Sequence, residues 1–276
     1  MKLICEHCKQ EFESKRRKRK YCCIQCANKA ISRQRSEAIE QKPEKIVWSS
    51  GGGIQSTAIA VLICNGVLPK PDYAVMIDVG YESARTIDYI NRIVVPNMEK
   101  AGVKFELIRA DKYTTVEIMK NGRCNLPAFR KNVDGSVSRL DTRCNGPWKQ
   151  TVLKRWLKEQ NVEKCVNWIG ISTDEKQRAG KNTFLKWIRN EYPLINLGIS
   201  RKDCVEIIKQ AGWEMPIRTS CIMCPLRTKF EWLRLKVDCP EDFKKACEIE
   251  EHIRAIDENV FLSKDCRPLC EVIETE

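Results

Sequence analysis

Three groups of residues in this 276-residue chain have types and spacings suited to chemistry. The first is Cys5-x2-Cys8 followed by Cys22-x3-Cys26, two thiol pairs separated by a hairpin-length insert. Such a set offers four soft ligands to a closed tetrahedral zinc site. Cys23 reads as a bystander, and His7 is not needed beside four cysteines. So short a segment buries too little apolar surface to fold alone. Bound Zn2+, worth on the order of 10–16 kcal/mol in zinc-finger peptides, would supply its folding energy. The second group is Ser49-Ser50-Gly51-Gly52-Gly53-Ile54-Gln55-Ser56, between the apolar Ile46-Val47-Trp48 and a helix-forming stretch at 55–63. A strand, a glycine turn and a helix start point backbone N–H groups outward, where the helix dipole favours an anion. The spacing is neither GxxxxGK[ST] nor GxGxxG. The third group is Arg218-Thr219-Ser220-Cys221-Ile222-Met223-Cys224-Pro225. A C-x-x-C-P loop can be a zinc half-site, a redox dithiol or part of an iron–sulfur cluster.

Composition narrows the setting. No run of about eighteen apolar residues predicts a membrane span, and MKLICEHC lacks the apolar core of a signal peptide. The expectation is a cytoplasmic protein with no membrane partner. Its sixteen cysteines then serve as metal ligands and reactive thiols rather than disulfides. Of the net charge of +12, residues 1–45 supply +7 (thirteen Lys/Arg against six Asp/Glu) and the remainder +5. Much of it is the run Lys15-Arg16-Arg17-Lys18-Arg19-Lys20 between the ligand pairs. Pinned to a zinc knuckle, that run becomes a rigid basic loop for sequence-blind phosphate contacts with nucleic acid. The pattern C-x2-C-x3-F…Y-C-x3-C resembles small treble-clef zinc fingers that accompany nucleic-acid enzymes, with Phe12 and Tyr21 as a miniature core. Residues 27–42 read as a polar helix or linker leading to Pro43.

The elements that must position these groups alternate. A strand at 72–79 ends near Asp78, a helix at 84–95 is stopped by Pro96, and another strand follows at 103–108. Strands alternating with helices predict a parallel sheet covered on both faces. Ligands of such sheets bind at the carboxyl ends of the strands, where the glycine turn and Asp78 should both emerge. Residues 229–257 read as two helices, the second begun by Pro240, with Trp232 and Phe243 packing. Cys64, Cys165, Cys204 and Cys247 lie in apolar or helical patterns as core residues. Cys124, Cys266 and Cys270 have no assignable role.

Five segments together carry a resemblance. SSGGGIQST and IDVGYESARTIDYI are similar to motifs of the adenine nucleotide α-hydrolase-like superfamily. That superfamily includes phosphoadenosine phosphosulfate (PAPS) reductases, ATP sulfurylase small subunits and PP-loop ATP pyrophosphatases that thiolate tRNA. Asp78-Val79-Gly80-Tyr81 with Thr86 resembles the reductases' D-T-G-Y-x-x-x-x-T. Arg143-Cys144 with Lys149 resembles R-C-x-x-x-K, and Gly170-Ile171-Ser172 with Asp174, Glu175 and Arg178 resembles G-x-x-x-x-E/D-x-x-R. Tyr192-Pro193-Leu194 resembles the late P-L motif. Two departures stand out. The PP-loop SGGxDS has Gln55-Ser56 at its last two positions, and the reductases' C-terminal E-C-G-L/I-H is replaced by CRPLCEVIETE.

The resemblance implies an α/β fold, a doubly wound and mostly parallel sheet at 45–235. A zinc module (1–40) precedes it and a helical extension (236–276) follows. It implies an adenine nucleotide, ATP or another, held by Ser50, Gly51, Gly52, Gly53, Gln55, Ser56, Gly80, Arg143 and Asp174. Asp78 would position the nucleotide or its Mg2+, and Arg178 and Lys149 would neutralise phosphate charge. Cys144, Cys221 and Cys224 would hold a [4Fe–4S] cluster, leaving one iron open, with Cys239 as a candidate fourth ligand. The function implied is an ATP-dependent sulfurtransferase acting on tRNA or DNA, fed by a sulfur donor such as a cysteine desulfurase. Alternatives are a reductase of PAPS or adenylyl sulfate, and a nucleotide-sensing nucleic-acid-binding regulator without catalysis. At Cys221 and Cys224 a second zinc and free thiols stand as alternatives to the cluster.

Overall fold

The computed structural model describes residues 1–14, 20–30, 33, 44–180 and 186–274. Lys15–Arg19 of the basic run and most of the linker before Pro43, with Pro43 itself, lie outside the described residues. Strands β1 (Lys2–Ile4) and β2 (Glu11–Glu13) form an antiparallel hairpin with Leu3 opposite Phe12. Among the described residues up to 30, only Cys5 and Ser14 are buried. A fully buried aliphatic side chain contributes about 1.5–3 kcal/mol, and none is found among the described residues of this module. Its stability must come from elsewhere.

The main sheet contains β3 (Lys45–Ser50), β4 (Tyr73–Asp78) and β5 (Phe105–Arg109). After β5 the chain makes an excursion through hairpin β6 (Met119–Lys120) and β7 (Arg123–Cys124) and hairpin β8 (Phe129–Lys131) and β9 (Val137–Arg139). It then returns to the sheet as β10 (Cys165–Ile169) and β11 (Ile188–Glu191). The order is β11-β10-β3-β4-β5 with every pair parallel. Alternate side chains enter two cores. Trp48, Ala74 and Met76 lie on one face with helix α1 (Ile54–Cys64). Val47, Val75 and Ile77 lie on the other. Burial on both faces is why these strands read as continuous apolar runs. In α1 the eight residues from Ser56 to Ile63 are all buried, so the helix is sealed inside.

Between β4 and β5 the chain forms α2 (Ala84–Tyr89), a π turn (Ile90–Val94) and α3 (Val95–Lys100). Pro96 therefore does not stop the helix. It lies at the start of α3, and the wider π turn before it lets the helical chain pass the ring without the bond its N–H would have made. Helix α4 (Thr151–Glu159) follows a π turn at Gly146–Gln150. The short α5 (Pro193–Asn196) and α6 (Arg201–Gln210) follow β11. Next come α7 (Lys229–Asp238) and α8 (Pro240–Ile256), the two helices expected at 229–257, the second begun by Pro240. Thr228 and Glu231 form a capping box that starts α7. Finally β12 (Val260–Phe261) pairs with β8, and α9 (Leu269–Glu274) ends the described chain. Trp232 and Phe243 pack in the Val47 core as expected. Cys165 and Cys204 are fully buried core residues, and Cys124 and Cys266 are buried too. Among the described residues no helix is long and apolar enough to cross a membrane.

Candidate nucleotide and cysteine site

The sheet order reverses between β3 and β10, because β4 and β5 lie on one side of β3 and β10 and β11 on the other. A crevice opens at the carboxyl ends of strands at such a point. The glycine turn follows β3 there, and Gly170-Ile171-Ser172 follows β10. Gly52 adopts φ +74°, a left-handed conformation that favours glycine. Helix α1 has no side-chain cap at Gly53 and no acidic residue in its first turn. Its leading N–H groups thus have no intrahelical partner, and its dipole is uncompensated. Two serines shape the turn: Gly51 N donates to Ser56 Oγ (3.0 Å) and Gly52 N to Ser50 Oγ (3.1 Å). A Cβ on Gly170 would stand 3.1 Å from Ser56 N and 3.3 Å from Gln55 C, backbone atoms that cannot swing aside. Glycine there lets the two loops meet.

Gln55 joins the two loops. Its Nε2 donates to Glu175 Oε2 (3.1 Å) and Ser172 Oγ (3.4 Å), and its Oε1 accepts from Arg201 Nη1 (3.1 Å). Arg178 Nη1 donates to the same Glu175 oxygen at 2.8 Å. Asp174 accepts from the Arg201 backbone N–H, which holds its carboxyl below the usual range. Gln55, Asp174 and Arg178 are thus brought to one rim. Asp78 stands across the crevice at the end of β4, its Oδ1 accepting from Gly80 N at 2.7 Å.

The cysteine loop lies directly on this turn. Thr219 Oγ1 is 2.7 Å from where a Gly53 Cβ would stand, and Thr219 Cγ2 is 3.4 Å from that of Gly52. Two residues later Cys221 forms an antiparallel bridge with Glu82, and Ile222 N donates to Tyr81 O (2.8 Å). Lys149, from the turn of helix that begins beside Cys144, reaches Glu82 Oε1 at 2.6 Å. Cys221 Sγ donates to the same oxygen at 3.7 Å. The Glu82 side chain is 2 % exposed. Lys149 thus stands beside Glu82 and Cys221. Burial opposes its charge, yet the neighbouring Glu82 carboxylate and Cys221 raise its pKa. Burial and then Glu82 push the Cys221 thiol up to about 12, with Lys149 opposing and Cys224 and Cys144 adding. Burial and then Cys224 raise Cys144. The three cysteines therefore lie within reach of one another's charge.

Arg227 closes the loop from below. It is 9 % exposed, donates through Nη2 to Ser220 O (3.2 Å) and Cys221 O (3.4 Å), and stacks on Trp232 at 5.4 Å. Burial lowers its pKa, and Cys224 opposes that shift. Arg143 is exposed beside Cys144, while Arg218 pairs with Glu231. Cys239 caps the junction of α7 and α8; Glu82, Lys149, Cys224 and Cys144 are the charges that act most on Cys221. Glu82 and Thr219 carry contacts that motif reading does not single out, and Arg227, a basic residue expected to bind phosphate or form a surface salt bridge, is buried against the loop backbone. For Glu82 the available signal is its place four residues after Asp78.

In the N-terminal module the sulfurs of Cys5, Cys8, Cys22 and Cys26 all lie within 4.8 Å of one another. Cys8 and Cys22 are 3.7 Å apart, and Cys22 and Cys26 3.5 Å. Tetrahedral coordination with zinc–sulfur bonds of about 2.3 Å spaces sulfurs about 3.8 Å apart, so this group fits a single such ion. Cys23 stands outside the set; its sulfur accepts from Cys26 N. Among the described residues no other set of three candidate ligands is so close.

No protein-family model matches the chain, and no curated protein does. Among solved structures it is similar to a U34-tRNA thiolase, NcsA from Methanococcus maripaludis with its [4Fe-4S] cluster. That match has a TM-score of 0.43 and 14% identity and covers 98% of this chain and 95% of that one. A second similar structure is the phosphate complex of phosphoadenylyl-sulfate (PAPS) reductase from Candida auris. Here the TM-score is 0.37 and the identity 13%, over 70% of this chain and 87% of that one. A tRNA thiolase and a PAPS reductase are two kinds of enzyme that the motifs resemble.

Proposed function

We propose that the chain is an adenine-nucleotide-dependent sulfurtransferase acting on nucleic acid, tRNA or DNA. The observation that carries this reading is the seating of the Cys221–Cys224 loop on the glycine turn through Thr219. A phosphate held at the start of α1 and a sulfur held at Cys221 would then share one crevice. Such a site can activate an oxygen and replace it with sulfur. The base carbonyl oxygen attacks the α-phosphorus of ATP, expelling pyrophosphate; sulfide sulfur then attacks the carbon, and AMP leaves with the oxygen. The Gly51–Gly53 turn and the first N–H groups of α1 would bind the phosphates, with Asp78 opposite holding Mg2+ or the nucleotide.

The cysteine site fits a [4Fe–4S] cluster in its chemistry. It has three thiols, and the half-buried Lys149 and the buried Arg227 stand where their charges would offset those of the thiolates. Bound there by Cys144, Cys221 and Cys224, such a cluster would present sulfide from its open iron. The four N-terminal cysteines would hold Zn2+ and present the basic run to a nucleic-acid backbone. A cysteine desulfurase is a suitable sulfur source. The test is anaerobic purification with metal and sulfide analysis, followed by conversion of labelled ATP to AMP and pyrophosphate with and without tRNA. About one zinc and four irons per chain, acid-labile sulfide and tRNA-stimulated turnover are expected. Two zincs, no iron and no turnover would sink the assignment.

A further inference from the structure

We propose that Glu82 is the positioning residue of the cysteine site. Its buried carboxylate holds the Lys149 ammonium, and its backbone bridge to Cys221 fixes the ligand loop beside that cation. It thereby sets where a ligand sulfur and a compensating cation stand against a bound iron–sulfur cluster. This deepens the sulfurtransferase reading and rests on its cluster.

The geometry is specific. Lys149 Nζ lies 2.6 Å and Cys221 Sγ 3.7 Å from the same Oε1, on a side chain 2 % exposed. A carboxylate removed from water persists only where partners replace its hydration. Its backbone is fixed on both sides. Residues 81 and 82 pair with 222 and 221, and Ser83 Oγ donates to the buried Asp242 of α8 at 2.7 Å. Glu82 therefore does not move with a loose loop. It links two segments remote in sequence, the turn carrying Cys144 and Lys149 and the loop carrying Cys221 and Cys224. Groups that orient metal ligands in this way govern how tightly and in what electronic state the metal is held.

The test uses the full chain, reconstituted anaerobically with iron and sulfide, as wild type, Glu82→Gln, Glu82→Asp, Lys149→Met and the Glu82→Gln/Lys149→Met pair. Readouts are iron per chain, the rate of iron loss to a chelator, the electron paramagnetic resonance spectrum after dithionite reduction, and thermal unfolding. Glu82→Gln keeps the side-chain shape. It should load iron as wild type does, lose it about tenfold faster, in the range reported for outer-shell substitutions, and show an altered spectrum. Glu82→Asp should recover part of the retention. The double variant should be no worse than Lys149→Met alone, because the pair acts as a unit. A wild-type release rate and spectrum in Glu82→Gln would overturn the proposal while leaving the cluster in place. So would a lowered melting temperature with an unchanged spectrum, or fully additive effects in the double variant. A wild type that takes up no iron would remove the cluster reading itself, and the two failures are thereby told apart.

Discussion

The two cysteine groups solve the same problem in opposite ways. The N-terminal four come from 22 consecutive residues, among whose described members no aliphatic side chain is buried, and their sulfurs already stand at single-ion spacing. The other three come from two loops 77 residues apart, set on a large core and flanked by Glu82, Lys149 and Arg227. Where the ligands are local, the metal makes the structure. Where the fold makes the site, buried charges can be placed to tune what is bound. Both groups consist of the same residue type, so the difference comes from their surroundings.

Stripping metal is the harshest way to break that comparison. A strong chelator should remove about one zinc per chain, cost the module the order of 10–16 kcal/mol, and leave residues 1–30 without amide protection. The α/β domain should keep its far-ultraviolet spectrum. Joint loss of both would show that the module is not an independent metal-built unit. Next in size, Cys221→Ser should lose the iron and any sulfur-transfer activity but retain the zinc. Cys23→Ser, by contrast, should change neither metal. Iron retained in Cys221→Ser would place the cluster elsewhere.

Gly170→Ala sharpens the comparison from the nucleotide side. Its Cβ would press on the backbone of Gln55 and Ser56, an overpacking strain of about 1–3 kcal/mol. Calorimetric ATP titration should show affinity lowered roughly five- to hundredfold, with both metal contents unchanged. Undiminished affinity would move the nucleotide away from this turn. The smallest effect concerns Glu250 of α8, 2 % exposed, which accepts from Leu262 N (2.7 Å) and Leu269 N. Burial raises its pKa above the unfolded value, against the two backbone hydrogen bonds. The folded state therefore binds more protons, and stability falls as pH rises from the unfolded pKa through the folded one. Between pH 7 and pH 4, wild type should gain melting temperature relative to Glu250→Gln. A constant difference would show that Glu250 is not strained by burial. Zinc content should be the same in both.

Alternation of apolar strands with helices is enough to read the parallel sheet, because each strand is buried on both faces by its own residues. The glycine turn is legible too, since only a strand, glycines and a helix start in that order expose N–H groups so. The four-cysteine group follows from spacing alone, because its members are close in sequence. Pro96 misleads: as a local signal it ends a helix, but the π turn at Ile90–Val94 carries the chain through it.

What the chain order could not reveal is which side chains meet. Lys149 carries a positive charge wherever it sits. Only the tertiary fold brings it to Glu82 and Cys221. Gln55 is one polar residue among several until the reversal of strand order brings Glu175 and Arg201 to it. Local order determined the elements, the turn and the four-cysteine knuckle, because hydrogen bonding and ligand spacing act over a few residues. Tertiary structure decided the cysteine site, because burial and charge act through space between residues far apart along the chain.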